Sequence, residues 1–180
     1  DIIDFGMGNP DRETPKPIVE KLIETVQNPA THRYSQSIGL PKLRLAMSDW
    51  YLRKYNVSLD HENEIVTCMG SKEGIAHLCM ATLSEGDNVL VQSPTYPVHT
   101  YGVVIAGATV EPVTLIDDLE SFLDQIKEKI SRKKDKPKML IINFPSNPTT
   151  ITCNKAFFEE LVNICKKNDI WIIHDLAYAD

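Results

Sequence analysis

The sequence predicts an α/β protein with a mainly parallel β-sheet. Short apolar stretches alternate along the chain with longer segments in which apolar residues recur at helical spacing. Two of the short stretches, Met139–Ile142 (MLII) and Ile170–Ile173 (IWII), are apolar at every position, as strands covered on both faces are. Ligands of such sheets bind beyond the carboxyl ends of the strands. The residues that follow each predicted strand are therefore the candidates for a functional site.

The first sixty residues predict two helices joined by a loop. One helix is expected from Pro17, because its apolar residues fall largely on one face: Ile18, Leu22, Ile23 and Val26. Residues 28–41 are rich in turn formers and predict a loop. A second helix is expected up to Tyr55, with Leu43, Met47, Trp50 and Tyr51 at helical spacing.

Strands and helices then alternate to the end of the chain. The predicted strands are Glu64–Met69, Asn88–Gln92, Thr109–Val113, Lys138–Asn143 and Ile170–His174. The predicted helices are Ser71–Leu83, Val98–Ala106, a segment spanning Leu119 to Ile130, and Lys155–Lys167. In the first of these helices Ile75, Leu78, Cys79 and Leu83 are expected to face inward. Pro112 makes Thr109–Val113 the least regular strand, since proline cannot donate to a ladder.

Composition is typical of a soluble, globular chain. The 180 residues carry a net charge of −6 and are 42% hydrophobic. Basic residues cluster only at Lys127–Lys138, so a nucleic-acid interface is not expected. No apolar run approaches the roughly 20 residues of a membrane span. The four cysteines have no CxxC spacing, which predicts reduced, mostly buried thiols in a cytoplasmic protein rather than a metal site.

Gly70-Ser71-Lys72 stands where a predicted strand meets a predicted helix. The glycine permits a sharp turn, and the free N–H groups of the helix start attract anions such as phosphate. An ordinary helix cap at Ser71 explains the same residues. The sequence contains neither GxxxxGK[ST] nor GxGxxG after a strand, which argues against a P-loop or a dinucleotide site.

Two further loops carry side chains suited to a flat ligand. Tyr96, between Pro94 and Pro97, offers a ring on which a planar heterocycle can stack, although it can equally pack against the next helix. Asn147 lies in the proline-rich loop after Asn143 and can donate to an oxygen, or serve as a turn former.

Asp175 follows the last predicted strand, with Tyr178 three residues later. The carboxylate can cap a helix, bind Mg²⁺, or pair with a cationic nitrogen of a ligand, and the phenol can point to the same place or simply pack. Taken together, the loops describe a ligand with an anionic end, a flat ring, a ring oxygen and a ring nitrogen that needs a proton. Pyridoxal 5'-phosphate (PLP) has all four features.

The ordered motifs also resemble a known family. GSK at a helix start, SPTYP, NFPSNPTT and DLAY are similar to those of class I/II aminotransferases of the fold-type I PLP family, and GMGNPDRETP and HRYSQSIGLPKLR fit its N-terminal segment. The similarity covers almost the whole chain and is strongest to the glutamate–pyruvate (alanine) transaminase branch, near the LL-diaminopimelate and aspartate aminotransferases.

The resemblance implies a role for each candidate residue. Gly70, Ser71 and Lys72 would hold the phosphate and Tyr96 would stack on the pyridine ring. Asn147 and Tyr178 would bind the phenolic oxygen, and Asp175 the pyridine nitrogen. Asn147 and Gly8 would also approach the substrate carboxylate. Tyr34 would reach the phosphate in the neighbouring subunit, which implies a homodimer with shared sites.

The resemblance also sets expectations for architecture and completeness. It implies an N-terminal arm and small-domain segment at residues 1–30. Residues 31–180 would form the N-terminal part of a three-layer α/β/α large domain, which is incomplete. The Schiff-base lysine and the substrate-binding arginine would lie beyond Asp180, so the chain alone is expected to be inactive. Thr150 replaces the family's usual glycine and is expected to bend its loop differently, because threonine disfavours positive φ.

The resemblance implies transfer of an amino group between an amino acid and a 2-oxo acid. Alanine and glutamate are the first substrate candidates, and aspartate is the second. Two alternatives stay open on the sequence. One is a β-lyase or decarboxylase on the same fold, and the other is a non-catalytic PLP-fold regulatory domain fused to a DNA-binding module.

Overall fold

The computed structural model describes residues 2, 3, 6, 8, 11–116, 118–132 and 136–179. The chain divides into two compact units, Asp1–Ile65 and Val66–Asp180. No helix in these described ranges is both long enough and apolar enough to cross a membrane.

The first unit contains two α-helices, α1 (Lys16–Val26) and α2 (Pro41–Tyr55), with a short 3₁₀ helix at Pro29–Thr31 between them. Both α-helices begin with proline in the first turn, where its missing N–H costs no hydrogen bond. Asn56, the C-cap residue that follows helix α2, has a left-handed conformation (φ 55°). The two predicted helices and the loop between them are therefore confirmed.

The second unit is a parallel sheet with four helices. Its strands are β1 (Asn88–Ser93), β2 (Thr109–Thr114), β3 (Met139–Asn143) and β4 (Trp171–Asp175). Its helices are α3 (Ser71–Thr82), α4 (Pro97–Ile105), α5 (Leu119–Ser131) and α6 (Lys155–Lys167). The strands lie in the order β2-β1-β3-β4 and every pair is parallel. The predicted α/β class is confirmed.

Alternating side chains of the strands build two apolar cores, one on each face of the sheet. Leu90, Leu140 and Ile142 pack with α5 and α6 on one face. Val91 and Ile141 belong to the other core, with residues of α3 and α4. Strand residues i and i+2 point to the same face, so one short apolar strand supplies both cores. The result is the predicted three-layer α/β/α arrangement.

Strand β2 lies at an edge of the sheet, which explains how it accommodates Pro112. The residue is exposed, and β2 has a described neighbour on one side only, β1; proline is tolerated in such edge strands because its missing N–H can face the open side.

Four local predictions differ from the structure. Glu64–Met69 is not a strand; no described strand lies beside it, and a strand exists only through its ladder. Leu78 is 40% exposed rather than inward, and Trp171 is 67% exposed because β4 has a described neighbour on one side only. The four cysteines are free, but only Cys79 and Cys165 are buried, and burial raises the pKa of Cys165 to about 11.

Candidate functional site

The sheet has its topological switch point between β1 and β3. From β1 the chain crosses to β2 on one side, and from β3 it crosses to β4 on the other. The connections that leave the carboxyl ends of β1 and β3 therefore diverge, which opens a crevice of the kind that binds ligands in α/β proteins. The loops after these two strands carry Tyr96 and Asn147.

Helix α3 begins at Ser71 after a turn that needs glycine. Gly70 is the N-cap residue, with φ 92° and ψ 152°, a region open essentially to glycine alone. The cap interpretation of Ser71 is therefore wrong: Ser71 is the first helical residue. The Glu73 carboxylate instead accepts a hydrogen bond from the Met69 N–H (2.7 Å). The N–H groups of the first turn of α3 lack intrahelical acceptors, which suits them to an anion.

Tyr96 is the N-cap residue of α4 and lies where β1 has just ended. The Lys72 Nζ atom lies 5.6 Å from the centroid of the Tyr96 ring. This contact brings a cation of the α3 start to the aromatic ring predicted to stack on a ligand. The His99 ring packs against Tyr96 in an edge-to-face arrangement, with the ring centroids 6.2 Å apart and the ring planes at 70°.

Asp175 is the last residue of β4, and a turn at Ala177 and Tyr178 follows it. No helix begins within the described residues after Asp175, 176–179. Its side chain is 9% exposed, and Oδ2 lies 2.9 Å from His99 Nε2. The hydrogen bond from His99 lowers the pKa of the Asp175 carboxyl despite partial burial, and the Ala177 N–H helps. The acid is thus held ionised at the mouth of the sheet.

His99 is a site residue that sequence reasoning missed. It is fully buried in α4, and its Nδ1 atom lies 2.5 Å from the Thr95 hydroxyl. An ionised carboxylate only accepts, so the proton shared with Asp175 belongs to Nε2 of His99. The available signal was a histidine inside the apolar helix PVHTYGVVI, four residues after a threonine.

The loop after β3 is tied to Asp175 through Asn143. The Asn143 carboxamide donates to the Asp175 carbonyl (2.9 Å) and accepts from the Asn147 N–H (2.7 Å). The Asn147 side chain in turn donates to the Tyr178 hydroxyl (3.2 Å). The two groups predicted to bind one ring oxygen are therefore direct neighbours. Asn143, which organises them, was not predicted as a site residue.

Thr150, which stands where the family usually has glycine, adopts the left-handed conformation that glycine favours. Its φ is 59°, and its N–H donates to the Ser146 carbonyl (2.8 Å). The expectation that Thr150 avoids positive φ is therefore wrong, and the different bend of its loop stays a prediction. A β-branched residue in this region is strained.

A continuous chain of contacts joins five of the predicted residues through two that were not predicted, His99 and Asn143. It runs through Lys72, Tyr96, His99, Asp175, Asn143, Asn147 and Tyr178. Gly8 and the exposed Tyr34 belong to the first unit, and their roles stay predictions. In the part of the chain that the structure describes, no group of three or more His, Cys, Asp or Glu side chains could hold a metal ion.

PLP fits this set of donors and acceptors. The α3 start and Lys72 match its phosphate, and the Tyr96 ring matches its planar ring. Asn147 and Tyr178 match a phenolic oxygen, and ionised Asp175 matches a protonated pyridine nitrogen. The phosphate, the ring, the phenolic oxygen and the ring nitrogen of the cofactor thus each have a complementary group at the carboxyl ends of the strands.

Fold and site define a doubly wound α/β domain with a ligand crevice at the carboxyl ends of its strands. The model of the family "Aminotransferase class I and II" matches residues 1–180. The chain belongs to this family.

Known relatives agree with that assignment. The chain is 52% identical to glutamate-pyruvate aminotransferase AlaC of Escherichia coli over 180 residues, which are 100% of this chain and 43% of the relative. It is 40% identical to LL-diaminopimelate aminotransferase of Aquifex aeolicus over 182 residues, 100% of this chain and 46% of the relative. The chain therefore spans less than half the length of these relatives.

Solved structures share the fold. BacF of Bacillus subtilis superposes with a TM-score of 0.85 at 34% identity, covering 96% of this chain and 46% of BacF. An aromatic aminotransferase of Pyrococcus horikoshii superposes with a TM-score of 0.87 at 29% identity, covering 97% of this chain and 46% of that one. The predicted fold and family are confirmed.

Proposed function

We propose that the protein is a PLP-dependent aminotransferase, which moves an amino group between an amino acid and a 2-oxo acid. The observation that carries the proposal is the buried pair of His99 and Asp175 at the mouth of the sheet, with the Asp175 pKa lowered. When bound, PLP supplies a protonated pyridine ring that draws electrons from the α-carbon of an amino acid.

Each residue of this chain then has a task toward the cofactor. Ionised Asp175 keeps a proton on the pyridine nitrogen, through a charge-assisted hydrogen bond worth roughly 1.5–3 kcal/mol. His99 orients the Asp175 carboxylate and keeps it ionised. Tyr96 covers the ring, and Asn147 and Tyr178 donate to its phenolic oxygen.

The phosphate would be held by Gly70, Ser71 and Lys72. Gly8 and Asn147 would contact the substrate carboxylate, as the family resemblance implies. We take alanine and glutamate as the first substrate candidates, supported by the name of the 52% identical relative from E. coli. Aspartate comes next, supported by the similar fold of an aspartate aminotransferase from Thermotoga maritima (TM-score 0.85, 29% identity).

The test uses the full-length protein incubated with PLP. We expect a visible absorption band that borohydride abolishes, and formation of pyruvate and glutamate from L-alanine and 2-oxoglutarate. Absence of the band would reject the cofactor. A band with ammonia release from a β-substituted amino acid, but no amino-group transfer, would favour a β-lyase instead.

We also propose that the protein is a cytoplasmic homodimer in which Tyr34 reaches the phosphate bound to the neighbouring subunit. Tyr34 is exposed, and so are the apolar side chains of Ile18, Leu22 and Val26 on helix α1. Exposed apolar side chains of this kind are suited to contact with a second subunit. Sedimentation of the full-length protein should give a dimer, and Tyr34→Phe should weaken PLP binding without changing the dimer. A monomer that binds PLP fully would contradict the shared site.

A further inference from the structure

Gln92 lies on β1 where that strand and β3 part. The parallel pairing of the two strands ends at Val91 and Ile141, one residue before Gln92. The Gln92 side chain is fully buried, and it lies one residue before the end of β1. A carboxamide in this position must find hydrogen-bond partners inside the protein, because a buried unpaired amide is costly.

The Gln92 carboxamide bonds at one end to the last residue of β3 and at the other to the loop that follows it. The Oε1 atom accepts from the Asn143 N–H (3.0 Å), and Nε2 donates to the Ser146 hydroxyl (2.9 Å). Asn143 and Ser146 are themselves buried. One side chain of β1 thus bonds to the last residue of β3 and to the loop after it, just beyond the point where the backbone pairing of the two strands ends.

The segment that Gln92 holds, residues 143–146, determines the position of Asn147. Asn143 accepts from the Asn147 N–H, and Ser146 directly precedes Asn147 in the chain. The Ser146 carbonyl accepts from Thr150 and its N–H donates to Ile151, which closes the loop on itself. A shift of Asn143 or Ser146 would therefore displace Asn147 as well.

We infer that Gln92 is a positioning residue for the cofactor: it fixes the loop on which Asn147 meets the phenolic oxygen. The inference rests on the proposed function. A donor to that oxygen disfavours its protonation, so a loosened Asn147 would raise the pH midpoint of the cofactor's visible absorption change. It would also weaken cofactor binding.

The experiment compares Gln92→Leu with Asn147→Ala in the full-length protein loaded with PLP. We expect Gln92→Leu to raise the PLP Kd by roughly 3- to 10-fold and to move the absorption midpoint up by about 0.5 pH unit. Asn147→Ala should shift both in the same direction. Because the two residues act through one contact, the double variant should shift little beyond Asn147→Ala.

Gln92→Glu is the conservative variant, because its neutral acid can accept from Asn143 and donate to Ser146 as the amide does. Its absorption midpoint should lie closer to that of the wild type than the midpoint of Gln92→Leu does. Ser146→Ala removes one of the two bonds and should give a smaller shift of the same sign, which keeps the test usable should Gln92→Leu not fold. Val89→Ala, a buried truncation near the start of β1, should lower stability without moving the midpoint.

Each outcome is decisive. If a folded Gln92→Leu or Ser146→Ala protein has the wild-type absorption midpoint, the role of Gln92 is overturned and the proposed function stands. Fully additive shifts in the double variant of Gln92→Leu and Asn147→Ala would overturn that role too. A wild-type protein that shows no cofactor absorption would overturn the proposed function, and the role of Gln92 toward the cofactor with it.

Discussion

The Nε2 atom of His99 lies 2.9 Å from Oδ2 of Asp175, although 76 residues separate them along the chain. The pair joins helix α4 to the end of β4, and it orients an acid whose own carbonyl is tied to Asn143. The histidine is fully buried and the Asp175 side chain is 9% exposed, so the hydrogen bond between them is largely shielded from water.

Replacing His99 with Phe should destabilise the protein in a pH-dependent way. At pH 7 the buried carboxylate loses a donor, so the free energy of unfolding should fall by about 2 kcal/mol. The His99 bond lowers the Asp175 pKa, so its contribution is present above the ordinary value of 3.8 and is lost as pH falls through the folded-state pKa.

Urea unfolding at pH 7 and near pH 3 measures this difference. The gap between wild type and His99→Phe should narrow at the lower pH. Thr95→Val is the matched control, because it removes the other bond of His99 and leaves the pair intact. An equal loss for His99→Phe at both pH values would show that the loss is one of packing.

Gly70→Ala should weaken PLP binding as well as stability. At φ 92° and ψ 152° an alanine is strained by about 1–3 kcal/mol, so the turn would relax and displace the start of α3. Gly86→Ala is the control, since Gly86 also has φ 92° and open space around its Cβ position. Both should lower the urea midpoint, and only Gly70→Ala should raise the PLP Kd. Equal Kd values would remove Gly70 from the site.

Thr150→Gly should stabilise the protein. Glycine removes the strain of a β-branched residue at φ 59° but makes the unfolded chain more flexible, which leaves a net gain of about 0.5–1 kcal/mol. Thr149→Gly adds the same flexibility without relieving a left-handed residue, so it should destabilise. If chemical denaturation shows both variants weakened alike, Thr150 is not strained.

His174 should make stability depend on pH in the mildly acidic range. Burial lowers its pKa, and its Nε2 atom donates to the Phe144 carbonyl (3.0 Å). The unfolded chain therefore binds the proton more readily, and stability should fall as pH drops below about 6.5 toward the folded-state pKa.

His174→Gln keeps a donor but cannot titrate, so it should flatten this dependence between pH 7 and pH 5. Phe158→Leu is the control, because it alters the ring contact with His174 and leaves the titration in place. Thermal melts at matched ionic strength make the comparison. A slope unchanged by His174→Gln would assign the dependence to other groups.

Local pattern was sufficient for most of the fold. Helix α6 has the predicted bounds, because its apolar spacing and its Asn154 cap are properties of the segment itself. The Glu64–Met69 prediction failed because a strand depends on a partner that composition does not reveal.

The candidate site likewise has residues that the sequence predicts and contacts that only the fold creates. Tyr96, Asn147 and Asp175 could be predicted because strand ends place them on one rim. The pairings of His99 and Gln92 could not be predicted, since their partners lie 76 and more than 50 residues away in the chain and only the folded sheet brings them together.

The most direct test of the account is a crystal structure of the full-length protein grown with PLP. We predict the pyridine nitrogen about 2.7–2.9 Å from the Asp175 carboxylate and the phosphate at the start of α3. A well-ordered PLP bound away from both Asp175 and Ser71 would contradict it.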